Sequence, residues 1–446
     1  MIFGWGRKDD DYDDDEDEDE DEDDREYVLF QGALNGETPD LAANARLVQA
    51  GLLPAKQLVT EALERRAEMI RIEPKGKVAQ VAFYIDGVPY PASRLPGQMA
   101  MAITQMLKLL CGLDPRERSK PQSGGANVEF TENKYVLKVD SAPVAGGAER
   151  LIIRAQDQKK VLEKPDDVGF SEELKAKIRE FTSQKNGLLL AAGPPNSGVT
   201  TVSIAMARSV DAYMYSIYSL ADLGDRDLAH VTSMKKNEGD TLSQTITRAK
   251  RKEADVCYVE PLLTAELAKE SLEGSKECAL IGEFPAKDAA DAIARFCQLV
   301  GDPKAVAAQL RLVCSQKLVR VLCTKCKQAY RPNPKLLAKV GLPPETKVLY
   351  RPPRYDEEDE EDEDEEERRV CRRCGGLGYH GRTGMLEFIE VTEPIRKAIA
   401  QGANANQLRE LARNEKMQSF QSEGLRLVVD GNTSLEELQR VFRSKD

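Results

Sequence analysis

Two periods alternate along this chain. Between Leu41 and Arg66 apolar residues recur at helical spacing: Leu41, Ala42, Ala45, Leu47, Val48, Leu52 and Leu53 lead into Leu58–Arg66, which predicts short helices over residues 38–67. The period then drops to two. Met69–Pro74 and Val78–Ile85 read as strands, and Asp86-Gly87 is a strong hairpin turn. Residues 96–112 read as a helix, and 127–155 as three more strands ending at Leu151–Arg154. The chain up to about residue 158 is thus expected to form a small α+β domain. A linker follows from Lys160 to about Val168, then a helix at Ser171–Ser183. After it, strands (188–192, 214–220, 255–259, 278–282) alternate with helices (200–209, 241–252, 264–273, 286–299, 303–312), the order of a parallel α/β fold. From Thr392 the pattern is helical, including Ala405–Glu415 and Ser434–Phe442.

Composition changes this picture in two places. Residues 9–24 hold 15 acids and residues 356–367 hold 12. Setting these 27 aside turns the formal charge of −12 into +15, so a basic body is overlain by two acidic segments. Such runs repel themselves and are expected to stay disordered, as a tail over 1–26 and a loop over 356–367. They act as solubilising segments, or else they mask the basic body. No apolar run approaches the roughly 18 residues of a membrane span, and Met1–Lys8 lacks the apolar stretch of a signal peptide. A cytoplasmic chain with reduced cysteines is expected, so cysteine pairs read as metal ligands and not as disulfides.

Nine cysteines are present, four of them as Cys323-Thr-Lys-Cys326 and Cys371-Arg-Arg-Cys374. Two C-x-x-C knuckles suit tetrahedral zinc, and four protein ligands leave no open position, so the expected role is structural. The acidic run falls in the connection between the knuckles. Cys111, Cys257, Cys278, Cys297 and Cys314 lie in apolar contexts and read as core residues. A second candidate follows the apolar run 187–192: Gly193, Pro194, Pro195, Asn196, Ser197, Gly198, Val199, Thr200 and Thr201. This strand–loop–helix context suits a phosphate loop, with Thr200 where a magnesium-ligating hydroxyl belongs. Val199 stands where the pattern wants lysine. A charge-assisted hydrogen bond is worth about 1.5–3 kcal/mol, so its loss weakens phosphate binding by about 10- to 100-fold.

Several stretches together resemble the type II secretion and type IV pilus assembly ATPases. They are "RRAEMIRIEPKGKVAQVAFYIDGV", "GLDPRERSKPQSG", "NGLLLAAGPPNSGVTT", "CSQKLVRVLCTKC" and "CRRCGGLGYHGRTGMLEFIEVTEPIRKAI", in that order. The resemblance spans roughly residues 55–446. It implies an α/β chain with a PAS-like domain over 27–160 and a RecA-like P-loop domain with a parallel-type sheet over 161–446. The latter would carry the tetracysteine zinc insertion at 320–384 and C-terminal helices at 392–446. It also implies a hexamer at the cytoplasmic face of a membrane platform, binding ATP and magnesium. The sequence has no aromatic-basic interleaving, so no specific nucleic-acid partner is expected.

The departures from that family cluster at its chemistry. Besides Val199, the acidic box corresponds to Ser219–Gly224, where Asp222 survives but Ala221 replaces the preceding acid. The Walker B stretch corresponds to Val259–Leu262, with Glu260 as the candidate water-orienting glutamate. Pro285 stands where the box histidine belongs, and neither His230 nor His380 is placed to replace it. The resemblance therefore implies a degenerate member: a non-hydrolysing subunit or scaffold, in a homo-hexamer or beside an active homologue to which Arg154, Arg248 or Arg251 is offered. Two alternatives remain. One is an atypical active ATPase with a lysine supplied by Lys185, Lys235 or Lys236. The other is a nucleotide- or polyanion-binding regulator.

Overall fold

The alternation read from Met69 onward becomes a hydrogen-bonded ladder. The computed structural model describes residues 26–159, 164–223, 228–234, 236–237, 239–354 and 370–443. The two acidic runs, linker residues 160–163, Gly224 and Lys235 lie outside the described residues. The chain divides into two compact units, Met1–Val161 and Leu162–Asp446.

The first unit holds seven strands: β1 (Leu29–Ala33), β2 (Met69–Lys75), β3 (Val78–Ile85), β4 (Val88–Pro96), β5 (Gln122–Phe130), β6 (Asn133–Pro143) and β7 (Glu149–Asp157). They form one antiparallel sheet in the order β1-β5-β6-β7-β2-β3-β4. Along β3, Ala79, Val81, Phe83 and Ile85 are buried and the residues between them are not. Helices Ala45–Glu64 and Gly97–Leu110 supply the other half of the core, from Leu58, Val59 and Leu63 and from Ile103, Met106 and Leu107. Gly51 is required where the helices meet, because a Cβ there would sit 2.7 Å from the Ala102 carbonyl oxygen. The short helices expected over 38–67 are one helix running through Pro54. A proline inside a helix costs about 3 kcal/mol, and the buried face from Ala55 to Leu63 offsets it. Strand β4 carries Pro89 and Pro91, which argue against a strand in sequence. It lies at the sheet edge, where a missing N–H costs no ladder bond.

The second unit contains β8 (Leu188–Gly193), β9 (Ile217–Ser219), β10 (Val231–Ser233), β11 (Val256–Tyr258), β12 (Ala279–Pro285), β13 (Leu310–Leu322), β14 (Gln328–Tyr330), β15 (Leu349–Arg351) and β16 (Tyr379–Glu390). Seven form a sheet in the order β10-β9-β11-β12-β8-β13-β16, parallel as far as β13 and closed by antiparallel β16. The chain is thus mixed α/β. Strand β8 is buried along its whole length, and its side chains alternate between two cores. Leu188, Leu190 and Ala192 face a cluster with helices Leu242–Arg251, Ala265–Gly274 and Ala289–Val300. Leu189 and Ala191 face another with helices Glu172–Ser183 and Val199–Ser209.

The expected helix 303–312 stops at Gln309. Leu310 and Leu312 are fully buried and belong to β13, which pairs β8 on one side and β16 on the other. Neither β13 nor β16 is among the strands read from the sequence, and at Leu310–Leu312 burial between β8 and β16 outweighs the helical reading.

Two buried ionisable groups carry checkable consequences. Lys108, fully buried, donates to Glu149 Oε1 at 2.7 Å and to the Glu117 carbonyl at 2.5 Å. Removing one partner strands the other charge in the core, at about 3–5 kcal/mol. Lys108→Met should therefore destabilise the first unit by that amount in urea unfolding of the full chain, and Lys108→Met/Glu149→Leu should recover most of it. In the second unit, the Glu387 carboxylate accepts the Ala289 N–H at 2.7 Å and the Phe420 N–H at 3.2 Å, tying two helix N-termini together. Burial pushes its pKa up to about 7, from an ordinary 4.5. The raised value means the folded state holds this proton more tightly than the unfolded chain. Its contribution to stability is complete below about pH 4.5 and is lost as pH rises through about 7. Thermal midpoints should fall over that window, and Glu387→Gln should flatten the fall.

Candidate functional site

The Gly193–Thr201 loop joins the C-terminal end of the central strand β8 to helix Val199–Ser209. Its turn depends on Asn196 (φ 61°) and Gly198 (φ 82°), both left-handed. A Cβ on Gly193 would lie 2.7 Å from the Gln316 carbonyl oxygen, so glycine is required where the loop leaves β8 against β13. The first intrahelical bond is Val202 N–H to the Gly198 carbonyl, at 3.0 Å. The N–H groups of Val199, Thr200 and Thr201 therefore have no carbonyl within the helix and open at its positive end. Ser197, 5% exposed, has a buried Oγ without a hydrogen-bond partner among the described residues. An orphaned hydroxyl beside open N–H groups fits a polar, anionic ligand.

Register decides which side chains meet this loop. Strands β12 and β13 flank β8, with Glu283 opposite Ala191 and Ser315 opposite Ala192. Gln316, one residue on, donates from Nε2 to the Ser197 carbonyl at 2.7 Å and underpins the loop. Glu283, 7% exposed, reaches the helix. Its Oε2 accepts from Thr200 Oγ1 at 3.0 Å, and its Oε1 accepts from Ser203 Oγ at 2.7 Å and from the Tyr258 hydroxyl at 2.6 Å. None of Glu283, Gln316, Ser203 and Tyr258 stands out in the sequence as a site residue. One signal was there for Glu283: a single carboxylate inside the apolar run Ala279–Pro285, which burial makes costly without partners.

The residues singled out in sequence are placed differently. Val199 packs its side chain against the apolar cluster around Leu189 and Val202. Glu260 lies 3.4 Å from Lys236 Nζ and is not the carboxylate bonded to Thr200. Asp222 is exposed. Arg154 pairs with Asp140, and Arg248 with Asp240. Lys185 cannot serve the loop. It is bonded to Asp255 at 2.9 Å and precedes β8, a strand of 6 residues whose far end carries the loop. That strand spans roughly 20 Å.

The four knuckle cysteines do come together, with all four sulfurs within 4.8 Å of one another. Cys323 and Cys371 sulfurs are 3.9 Å apart, and those of Cys326 and Cys374 are 3.6 Å apart. A tetrahedron with metal–sulfur bonds near 2.3 Å has edges of about 3.8 Å, so the donor set fits such a metal. The Cys323 N–H donates to the Gly378 carbonyl at 2.9 Å and ties one knuckle to the other. The Cys374 backbone N–H holds the Cys371 thiol down to about 7, while burial raises those of Cys326 and Cys374. Of the remaining cysteines, Cys111, Cys257, Cys278 and Cys314 are buried and Cys297 is partly so.

Known proteins are similar to this chain. Residues 48–440 match the family described as Type II/IV secretion system protein, and the chain belongs to that family. The type IV pilus assembly ATPase PilB of Thermus thermophilus is 28% identical over 386 residues, 86% of this chain and 42% of that protein. PilB of Pseudomonas aeruginosa is 25% identical over 394 residues, 87% of this chain and 66% of that protein. The chain thus spans from about two fifths to just under two thirds of these relatives' length. Type II secretion system protein E of Xanthomonas campestris pv. campestris is 24% identical over 409 residues, 90% of this chain and 68% of that protein. The solved ATPase DotB of Legionella pneumophila shares the fold, with a TM-score of 0.53 at 12% identity over 91% of this chain and 96% of that one.

Proposed function

We propose that this member of the Type II/IV secretion system protein family is a nucleotide-binding-type subunit of a secretion or pilus machine, with weak or absent ATP hydrolysis. The observation that carries this is the loop itself. Its N–H groups and Thr200 are arranged for phosphates, but Val199 is spent on core packing and brings no ammonium. Phosphoryl transfer is mostly positioning and neutralisation of developing charge. Glu260 faces Lys236, and Pro285 ends β12 at the position where the resemblance to the family implies a histidine. The positioning half survives and the neutralising half does not.

A bound nucleotide would rest its phosphates on the N–H groups of Val199, Thr200 and Thr201, with magnesium beside the Thr200 hydroxyl. The ion would supply charge neutralisation. We read the second unit as a RecA-like domain over 161–446, with its loop at the end of the central strand, and the first as a PAS-like domain over 27–160. The four cysteines are read as a structural zinc centre. The subunit would sit in a homo- or hetero-hexamer with a homologous ATPase, at the cytoplasmic face of a membrane platform. No helix among the described residues is long and apolar enough to cross a membrane itself.

Two measurements test this. The purified chain should bind ATP weakly and release phosphate only at background. Val199→Lys should tighten ATP binding by about 10- to 100-fold and leave phosphate release at background. Steady release by the unmodified chain that disappears in Thr200→Ala would instead identify an atypical active motor. Elemental analysis should find about one zinc per chain, lost in Cys371→Ser/Cys374→Ser together with a lowered thermal midpoint. Full stability without metal would sink the zinc reading.

A further inference from the structure

We propose that the second unit holds a separate site for a flat heteroaromatic ring, at the amino-terminal ends of β9 and β10. The ligand is a free small molecule with an uncharged ring system, of the kind a nucleoside or a flavin carries.

Topology sets this site apart from the Gly193–Thr201 loop. Strands β10, β9, β11, β12 and β8 run parallel. The loop leaves the carboxyl end of β8, whereas the segments that enter β9 and β10 enclose a cavity of about 520 Å³ at the other end of the sheet. That volume suits a small ligand. Tyr213, Tyr215, Tyr218 and His230 line it, with small side chains at Ala212 and Ala229 between them.

The three tyrosines differ in what already occupies them. Tyr215 lies under Lys185 Nζ, 5.7 Å from its ring centroid, and Tyr218 donates its hydroxyl proton to the Lys252 carbonyl at 3.3 Å. Tyr213 is 95% exposed. Its one aromatic neighbour among the described residues is His230, with ring centroids 6.2 Å apart and planes inclined at 41°. The backbone fixes where this ring stands. The Asp211 carboxylate accepts the Tyr213 N–H at 3.1 Å, and the Asp211 carbonyl accepts the N–H groups of Met214 at 3.1 Å and Tyr215 at 3.0 Å. A closed turn thus displays a ring whose faces are left open. Such a face is a stacking platform, and it accepts many flat ring systems because each has a π face. Strand β10 is at the sheet edge, so peptide groups on its outer side have no strand partner and can meet the polar rim of a heterocycle.

Charge narrows the ligand further. Among the described residues, no lysine, arginine, aspartate or glutamate lines the cavity. Lys185, over Tyr215, is paired with Asp255 at 2.9 Å. A nucleic-acid strand draws much of its affinity from cations at its phosphates, and this cavity offers none. Recognition therefore falls to the ring itself.

The test uses the full chain with two probes, riboflavin followed by quenching of its fluorescence and adenosine followed by calorimetry. Neither probe carries a phosphate for the loop to hold. Both should bind saturably, with a Kd below about 1 mM. Tyr213→Ala should weaken both by about 5- to 100-fold. Tyr213→Phe keeps the ring face and should bind within about 2-fold of the unmodified chain. His230→Ala, on the other strand's entry, should weaken both probes as well, which separates a shared site from a local effect of one substitution. Failure of both probes to bind, or binding that Tyr213→Ala leaves untouched, would overturn the site. An oligo(dA) strand that binds more tightly per base than adenosine would overturn the assignment to a free small molecule.

Discussion

Everything at the candidate site depends on one strand held on both sides. Leu188–Gly193 is buried at every position, so each of its backbone groups must find its partner in a neighbouring strand. Strands β12 and β13 provide those partners, and their register against β8 leaves little freedom. A slip of one residue would turn Leu189 and Ala191 out of one core and Leu188 and Leu190 out of the other. The same register sets Glu283 and Gln316 at the loop. The chemistry of the site is thus a consequence of packing on the two faces of the sheet.

What register delivers to the loop is polar but almost without positive charge. A buried carboxylate is costly unless hydrogen-bonded. Glu283 meets that cost with three hydroxyls from a helix and the neighbouring strand. Gln316 holds the loop's carbonyl side with an amide. Shape and hydrogen bonding are therefore kept around Gly193–Thr201, where Val199 brings no ammonium. A helix N-terminus can hold an anion through backbone N–H groups and helix dipole alone, whereas stabilising a transition state needs charge at fixed points.

The same separation of scaffold from chemistry holds further along the chain. Strand β13 leaves the loop at Gln316 and runs on to the first knuckle, and β16 returns from the second. Beside them Glu437, fully buried, is bonded by Arg320 at 2.8 Å and Arg440 at 2.6 Å, and the Arg320 guanidinium lies 4.0 Å from the Tyr379 ring centroid. These contacts lock the C-terminal helix Leu435–Arg443 to the antiparallel pair β13–β16, whose ends carry the two knuckles. A metal bound there would stabilise a framework already closed by hydrogen bonds and packing.

Local pattern determined much by itself. The period-two runs of the first unit, the β8 strand, the glycines and threonines of the loop and the four cysteines are all legible, because each depends on side-chain spacing or on a residue's own conformational freedom. The prolines of β4, the passage of a helix through Pro54 and the strand beginning at Leu310 were not, since burial and position in the sheet outweighed local preference there. The identity of the carboxylate at Thr200 is the clearest case. Glu260 lies just past the end of β11 and Glu283 lies within β12. Only the order β11-β12-β8 decides that Glu283 is beside the loop and Glu260 beside Lys236. Strand order is set by long-range burial of apolar faces, and no local spacing encodes it.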